Sequence, residues 1–158
     1  MREETIALVG NPNVGKSTVF NALTGMHQHT GNWTGKTVDV ARGELIYNDT
    51  KYTLIDLPGT YSLRAKSPEE EVTRDYIISG KADKIIVVCD AGALERNLNL
   101  LLQITEHNEN ILLCVNLLDE ARKKGIEIDL DRLSEILGVC VVGASARRGE
   151  GIREIKEG

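Results

Sequence analysis

Gly10-Asn11-Pro12-Asn13-Val14-Gly15-Lys16-Ser17 is the stretch that decides the fold, because it joins an apolar run, Thr5–Val9, to a helical pattern, Lys16–Leu23. It fits GxxxxGK[ST], in which glycines let backbone N–H groups turn onto phosphates while the following helix adds its partial positive end. Chance gives this pattern in roughly one in two hundred chains of this length. A Gly-rich turn without a ligand has no use for a Lys at that point.

Working outward, short β-branched runs recur at Tyr52–Ile55, Lys84–Cys89, Asn110–Val115 and Val139–Val142. Such continuous apolar runs suit strands covered on both faces. Helical patterns lie between and beside them at Ser67–Ile78, Leu94–Glu106, Asp119–Lys124 and Asp129–Leu137, with a short last piece in Gly149–Gly158. Ser67-Pro68-Glu69-Glu70-Glu71 is a helix start, with an N-cap Ser, Pro at the first helical position and acids in the first turn. Val38–Tyr47 and Lys51–Ile55, separated by a polar turn, read as a hairpin. The sequence therefore predicts an α/β fold of the P-loop NTPase kind: a doubly wound, six-stranded, mostly parallel sheet with one antiparallel strand and helices on both faces.

The chain has 158 residues, 41% of them hydrophobic, enough for one domain with a core that needs no disulfide or structural metal. A net charge of −5 supplies no global basic field, so nucleic acid is not an expected partner. No apolar run approaches the roughly 20 residues that cross a bilayer, and the N-terminus lacks a signal-peptide layout. Cys89, Cys114 and Cys140 each sit in an apolar run and read as buried, reduced thiols without chemistry. His27 and His29 lack further metal ligands and read as solvated loop residues. Ala121-Arg122-Lys123-Lys124 reads as a solvated helix end.

Within the loop, Lys16 is placed to pair with β- and γ-phosphate oxygens and the Ser17 hydroxyl to ligate Mg²⁺. Gly10 to Thr18 form the nucleotide-binding segment. Asp56-Leu57-Pro58-Gly59 follows a strand some forty residues later; Asp56 can hold the Mg²⁺ and the Gly59 N–H can meet the γ-phosphate. Alone that tetrapeptide is an ordinary turn. Asn116-Leu117-Leu118-Asp119 ends another strand. Guanine offers N1–H and an amino group that one carboxylate accepts together, whereas adenine would leave Asp119 facing a lone pair; such sites discriminate by roughly 10⁴–10⁵. Asp119 argues for GTP over ATP, and Ser145 and Ala146 after the last strand supply a bracing hydroxyl and a backbone N–H.

Together these motifs resemble the translation-factor-related GTPases. Gly31-Asn32-Trp33-Thr34-Gly35-Lys36-Thr37-Val38-Asp39, followed by Asp56-Leu57-Pro58-Gly59-Thr60-Tyr61-Ser62-Leu63, resembles the amino-terminal G domain of the FeoB family of prokaryotic ferrous-iron transporters. The likeness runs from about Thr5 to Gly151. It implies a Mg²⁺-dependent, slow GTPase acting as a cytoplasmic switch, with Thr37 a first-switch Mg²⁺ ligand, Gly35 beside the nucleotide and a second switch from Asp56 into Ser67–Glu71. It implies further that Asn13, with carbonyls of Gly31–Trp33, holds a K⁺ that does the work of an arginine finger, so that Lys16, Thr37, Gly59 and Asn13 carry catalysis. Thr60 stands where Ras-like enzymes carry a water-orienting Gln and is too short for that task.

The resemblance also implies that these residues are part of a longer chain, with a helical spacer and a transmembrane iron-permeation domain as partners, an inner-membrane location at the cytoplasmic face, and oligomers as one option. A ribosome-assembly or tRNA-modification GTPase of the same superfamily, or a nucleotide sensor with negligible catalysis, shares the phosphate loop. Trp33, the one tryptophan, lies in a polar loop. Core packing is the usual fate of a lone Trp, and this polar setting gives a mobile switch at least equal standing.

Overall fold

A computed structural model describes all 158 residues, Met1–Gly158. Seven strands, β1 (Arg2–Gly10), β2 (Gln28–Asn32), β3 (Asp39–Tyr47), β4 (Thr50–Asp56), β5 (Lys84–Asp90), β6 (Ile111–Asn116) and β7 (Cys140–Gly143), form one sheet in the order β2-β3-β4-β1-β5-β6-β7. β1 pairs in parallel with β4 and β5, and β5-β6-β7 continue in parallel. β3 runs antiparallel to both its neighbours, which makes it the single reversed strand. Asn48 and Asp49, both at positive φ, turn β3 into β4 in the way that short hairpins require.

The seventh strand corrects the expected six. Gln28–Asn32 is exposed at every position and carries no apolar alternation, so its residues read as loop. What makes it a strand is pairing with Asp39–Gly43 of β3 rather than burial. His29 belongs to this edge strand, exposed, and no group of three or more His, Cys, Asp or Glu side chains able to hold a metal forms here or elsewhere in the chain.

Six helices cover the sheet: α1 (Lys16–Thr24), α2 (Pro68–Ser79), α3 (Leu94–Ile104), α4 (Leu118–Lys123), α5 (Leu130–Leu137) and α6 (Ile152–Glu157). The central strands divide their side chains between two apolar layers, as period-two alternation dictates. On one face Val9, Val87, Leu113 and Val115 pack with Val72, Ile77, Leu101 and Ile104 of α2 and α3. On the other Leu8, Val88, Leu112 and Cys114 pack with Val19, Phe20 and Leu23 of α1 and Ile155 of α6. The Ser67 cap forms as read from sequence, its hydroxyl accepting the Glu70 N–H at 3.1 Å.

Cys89 and Cys114 are buried, and burial raises both thiol pKa values, Cys114 to about 12, which keeps them protonated and unreactive. Cys140 departs from expectation. It is exposed, as the first residue of β7, the edge strand on its side of the sheet. No helix is long and apolar enough to cross a membrane.

Candidate nucleotide-binding site

The strand order reverses at β1, and the carboxyl ends of parallel strands at such a point open a crevice. The sequence uses this edge throughout. Gly10–Gly15 leaves the end of β1, Asp56 ends β4, Asn116 ends β6, and Ala144–Ala146 follows β7. Residues more than a hundred positions apart thus meet through topology alone.

The phosphate loop has two residues in the left-handed region, Asn13 at φ 66° and Gly15 at φ 81°. Gly15 stands at the N-terminus of α1, which no side chain caps, so the first N–H groups of that helix stay available to an anion. Asn11, Pro12, Asn13, Gly15, Lys16, Ser17 and Gly59 line one cleft of about 410 Å³. Gly59 lies so close that an added Cβ would come within 3.3 Å of Pro12. Thr60 N–H donates to the Gly10 carbonyl at 3.0 Å, fastening this tetrapeptide to the loop. Asn11 is buried and its Oδ1 has no hydrogen-bond donor. An acceptor buried in that way costs about 1–3 kcal/mol.

A second cleft, about 430 Å³, is lined by Lys16, Thr30, Thr37, Val38, Asp39, Asp56 and Pro58 among others. It brings together Lys16, Asp56 and Thr37, three residues that sequence reading named separately. The Lys16 ammonium forms an ion pair with Asp56 and donates to the Leu57 carbonyl at 2.6 Å. Both charged side chains are largely shielded, at 12% and 13% exposure. Asp56 and Lys16 therefore face each other, whereas the sequence had given them separate tasks. Thr60 is buried, and its hydroxyl donates to the Ser62 carbonyl at 2.6 Å and lies 2.9 Å from the Glu70 carboxylate. It is fully engaged in holding the loop before α2.

The base side is built around Asn116, which is 1% exposed. Its carboxamide NH₂ donates to the Val14 carbonyl at 3.0 Å, and its Oδ1 accepts the Ala146 N–H at 3.1 Å. One side chain thus ties the phosphate loop to the Ser145-Ala146 loop, a bridge that the motif alone does not announce. The following residue, Leu117, is held at φ 62°, an uncommon conformation for a branched side chain that throws Asp119 to the start of α4. The Ser145 hydroxyl accepts the Asp119 N–H at 3.1 Å. Partial burial pushes the Asp119 carboxyl up. Hydrogen bonds from the Glu120 N–H, the Ser145 hydroxyl and its own N–H, with the Arg148 charge, outweigh this and hold it below the usual carboxylate range. Asp119 stays anionic across the neutral range, ready to accept two donors.

The family model described as Ferrous iron transport protein B matches residues 4–158. The chain belongs to the FeoB family. The Fe(2+) transporter FeoB of Helicobacter pylori is 49% identical over 150 residues, which cover 95% of this chain and 23% of that protein. The FeoB G-domain from Methanococcus jannaschii is 51% identical, with a TM-score of 0.86 and coverage of 99% of this chain and 95% of that one. The cytosolic domain of T. maritima FeoB in its GDP form superposes with a TM-score of 0.94 at 44% identity, covering 99% of this chain and 62% of that one. The chain thus corresponds to the amino-terminal G domain of FeoB and spans about 23% of the length of the Helicobacter relative.

The residues of the expected K⁺ set come from three segments of the chain. Asn13 lines the phosphate-loop cleft, Gly31 lies in β2, and the Trp33 side chain turns to Arg42 and Tyr76. The Trp33 carbonyl accepts the Lys36 N–H at 3.0 Å. Trp33 is half-buried, between the core and loop fates open to it in the sequence.

Proposed function

We propose that this chain binds guanine nucleotide with Mg²⁺ and hydrolyses GTP slowly, as the cytoplasmic switch of a longer ferrous-iron transporter. The observation that carries this reading is the Asn116 bridge. It fixes the phosphate loop and the base loop at a set separation and presents an ionised Asp119 beside them. The GDP form of the T. maritima relative supports the same nucleotide class.

The donor set suits a magnesium-bound nucleotide. Ser17 and Thr37 offer hydroxyls and Asp56 a carboxylate, and these are hard oxygen ligands. Ser17, Thr37 and Asp56 would hold Mg²⁺, which would supply positive charge against the phosphates. The protein's part is positioning. Lys16 moves its ammonium from Asp56 to the phosphates, which frees the carboxylate for the metal side. The exposed N–H groups at the start of α1 and the Gly59 N–H cradle the phosphate oxygens.

Thr60, at the position of the water-orienting Gln, is not free to orient water, since it is buried and committed to Ser62 and Glu70. Intrinsic hydrolysis is therefore slow. We assign the missing positive charge to K⁺ held by Asn13 and carbonyls of Gly31–Trp33. Single-turnover GTP hydrolysis compared in KCl and NaCl at matched ionic strength tests this. Faster turnover in KCl is expected, equal turnover removes the ion, and no turnover in either leaves a nucleotide sensor rather than an enzyme.

Thr37→Ala separates the two nucleotide states. It should leave GDP affinity unchanged and weaken Mg²⁺-dependent binding of a non-hydrolysable GTP analogue by roughly tenfold, the value of one charge-assisted contact. Titration of both nucleotides with and without Mg²⁺ measures it, and an undiminished GTP response removes Thr37 from the switch.

A further inference from the structure

Trp33 is anchored by side chain and backbone at once. Its ring meets Tyr76 of α2 edge to face, with centroids 5.4 Å apart and planes at 77°. The Arg42 guanidinium lies 5.3 Å from the centroid of the same ring. Its backbone N–H donates to the Val38 carbonyl at 2.7 Å and its carbonyl accepts the Lys36 N–H, which closes Trp33–Val38 into a tight loop containing Thr37.

Val38 and Tyr76 are both buried in the apolar layer against which Trp33 packs. Thr37 is the exposed residue next to Val38, and it lines the cleft with Lys16 and Asp56. Where Thr37 stands is thus set by two anchors, Val38 in the core and Trp33 on Tyr76. The Lys36–Glu71 ion pair, 3.2 Å, joins the same loop to α2, but both partners are more than a third exposed and it adds little.

We propose that Tyr76 is a positioning residue of the first switch, which acts through Trp33 to place Thr37 over the Lys16–Asp56 cleft and to couple that switch to α2. The proposal rests on the nucleotide reading above. Tyr76 lines neither the phosphate-loop cleft nor the Lys16–Asp56 cleft; the segment from Gly59 to Ser67 leads directly into α2, so a displacement of that helix carries Trp33 with it. Aromatic edge-to-face pairs of this kind are worth roughly two- to tenfold in an equilibrium.

The test compares Tyr76→Leu, which keeps apolar bulk and removes the ring, with Tyr76→Phe, which keeps the ring. In Tyr76→Leu the Trp33 emission should shift to the red, and Mg²⁺-dependent affinity for a GTP analogue should fall about two- to tenfold while GDP affinity holds. Tyr76→Phe should restore both readings to wild type. If Tyr76→Leu does not fold, Trp33→Leu, whose change lies at a half-buried loop position, should reproduce the same selective loss. Unchanged Trp33 emission in Tyr76→Leu, an equal loss of GTP and GDP affinity, or failure of Tyr76→Phe to rescue would each overturn the proposal. Should wild type bind no guanine nucleotide, the function fails instead, and emission of the ligand-free variants still reads the seat of Trp33.

Discussion

Asp119→Asn should weaken GTP by on the order of 10⁴-fold and turn the preference toward xanthosine triphosphate. The carboxylate accepts two donors from guanine; an Asn carboxamide in its place points NH₂ at those donors or offers one acceptor where two are needed. Xanthine replaces the guanine amino group with a carbonyl, which that NH₂ can serve. The substitution is isosteric and Asp119 is only partly buried, so the fold should be unaffected. Its N–H bond to the Ser145 hydroxyl is a backbone contact and survives. Competitive titration with GTP, ATP and xanthosine triphosphate measures the effect, and unchanged GTP affinity would show that the base is read elsewhere.

Gly15→Ala should be the most damaging single-methyl change in the phosphate loop. The position has φ 81°, which costs an L-residue about 1–2 kcal/mol. Its new methyl would collide with the Asn116 carboxamide nitrogen, the group that donates to Val14. Losing that bond leaves a buried pair unsatisfied, about 1–3 kcal/mol more. Together these predict a loss of about 2–5 kcal/mol, divided between chemical stability and nucleotide affinity. Gly80→Ala is the internal control. Its φ of 71° carries a similar backbone cost, but nothing lies within 4 Å of the added carbon. Urea unfolding and nucleotide titration of the two variants side by side check this, and equal losses would mean that the Asn116 bridge contributes nothing.

The parts of this molecule legible in its sequence are those where chemistry and chain direction are local. The Gly10–Ser17 loop announces itself because backbone turning, a cation and a helix start must occur within eight residues. Strands β1, β5 and β6 are continuous apolar runs, since both faces are covered. β2 was invisible for the opposite reason: its residues are polar and exposed, and only the ladder with β3 makes them a strand. Cys140 misled because an apolar run at a sheet edge looks like one at its centre.

In the site, Asn116 and Asp119 could be named from their spacing. The Asn116 contacts to Val14 and Ala146 could not, because they span separations of 102 and 30 residues. Tyr76 gave no signal either. An aromatic residue on the buried face of an amphipathic helix is ordinary, and only the three-dimensional position of Trp33 gives it a role.

The Lys16–Asp56 pair has a consequence for the order in which things arrive. A magnesium ion coming alone meets a carboxylate whose charge Lys16 already cancels. A bare nucleotide meets an ammonium already engaged by Asp56 and the Leu57 carbonyl. Each newcomer by itself must break a shielded contact for one partner and strand the other. On the function proposed above, only the two together would replace both halves of the pair at once, and the cleft would favour the metal–nucleotide complex over either component on its own.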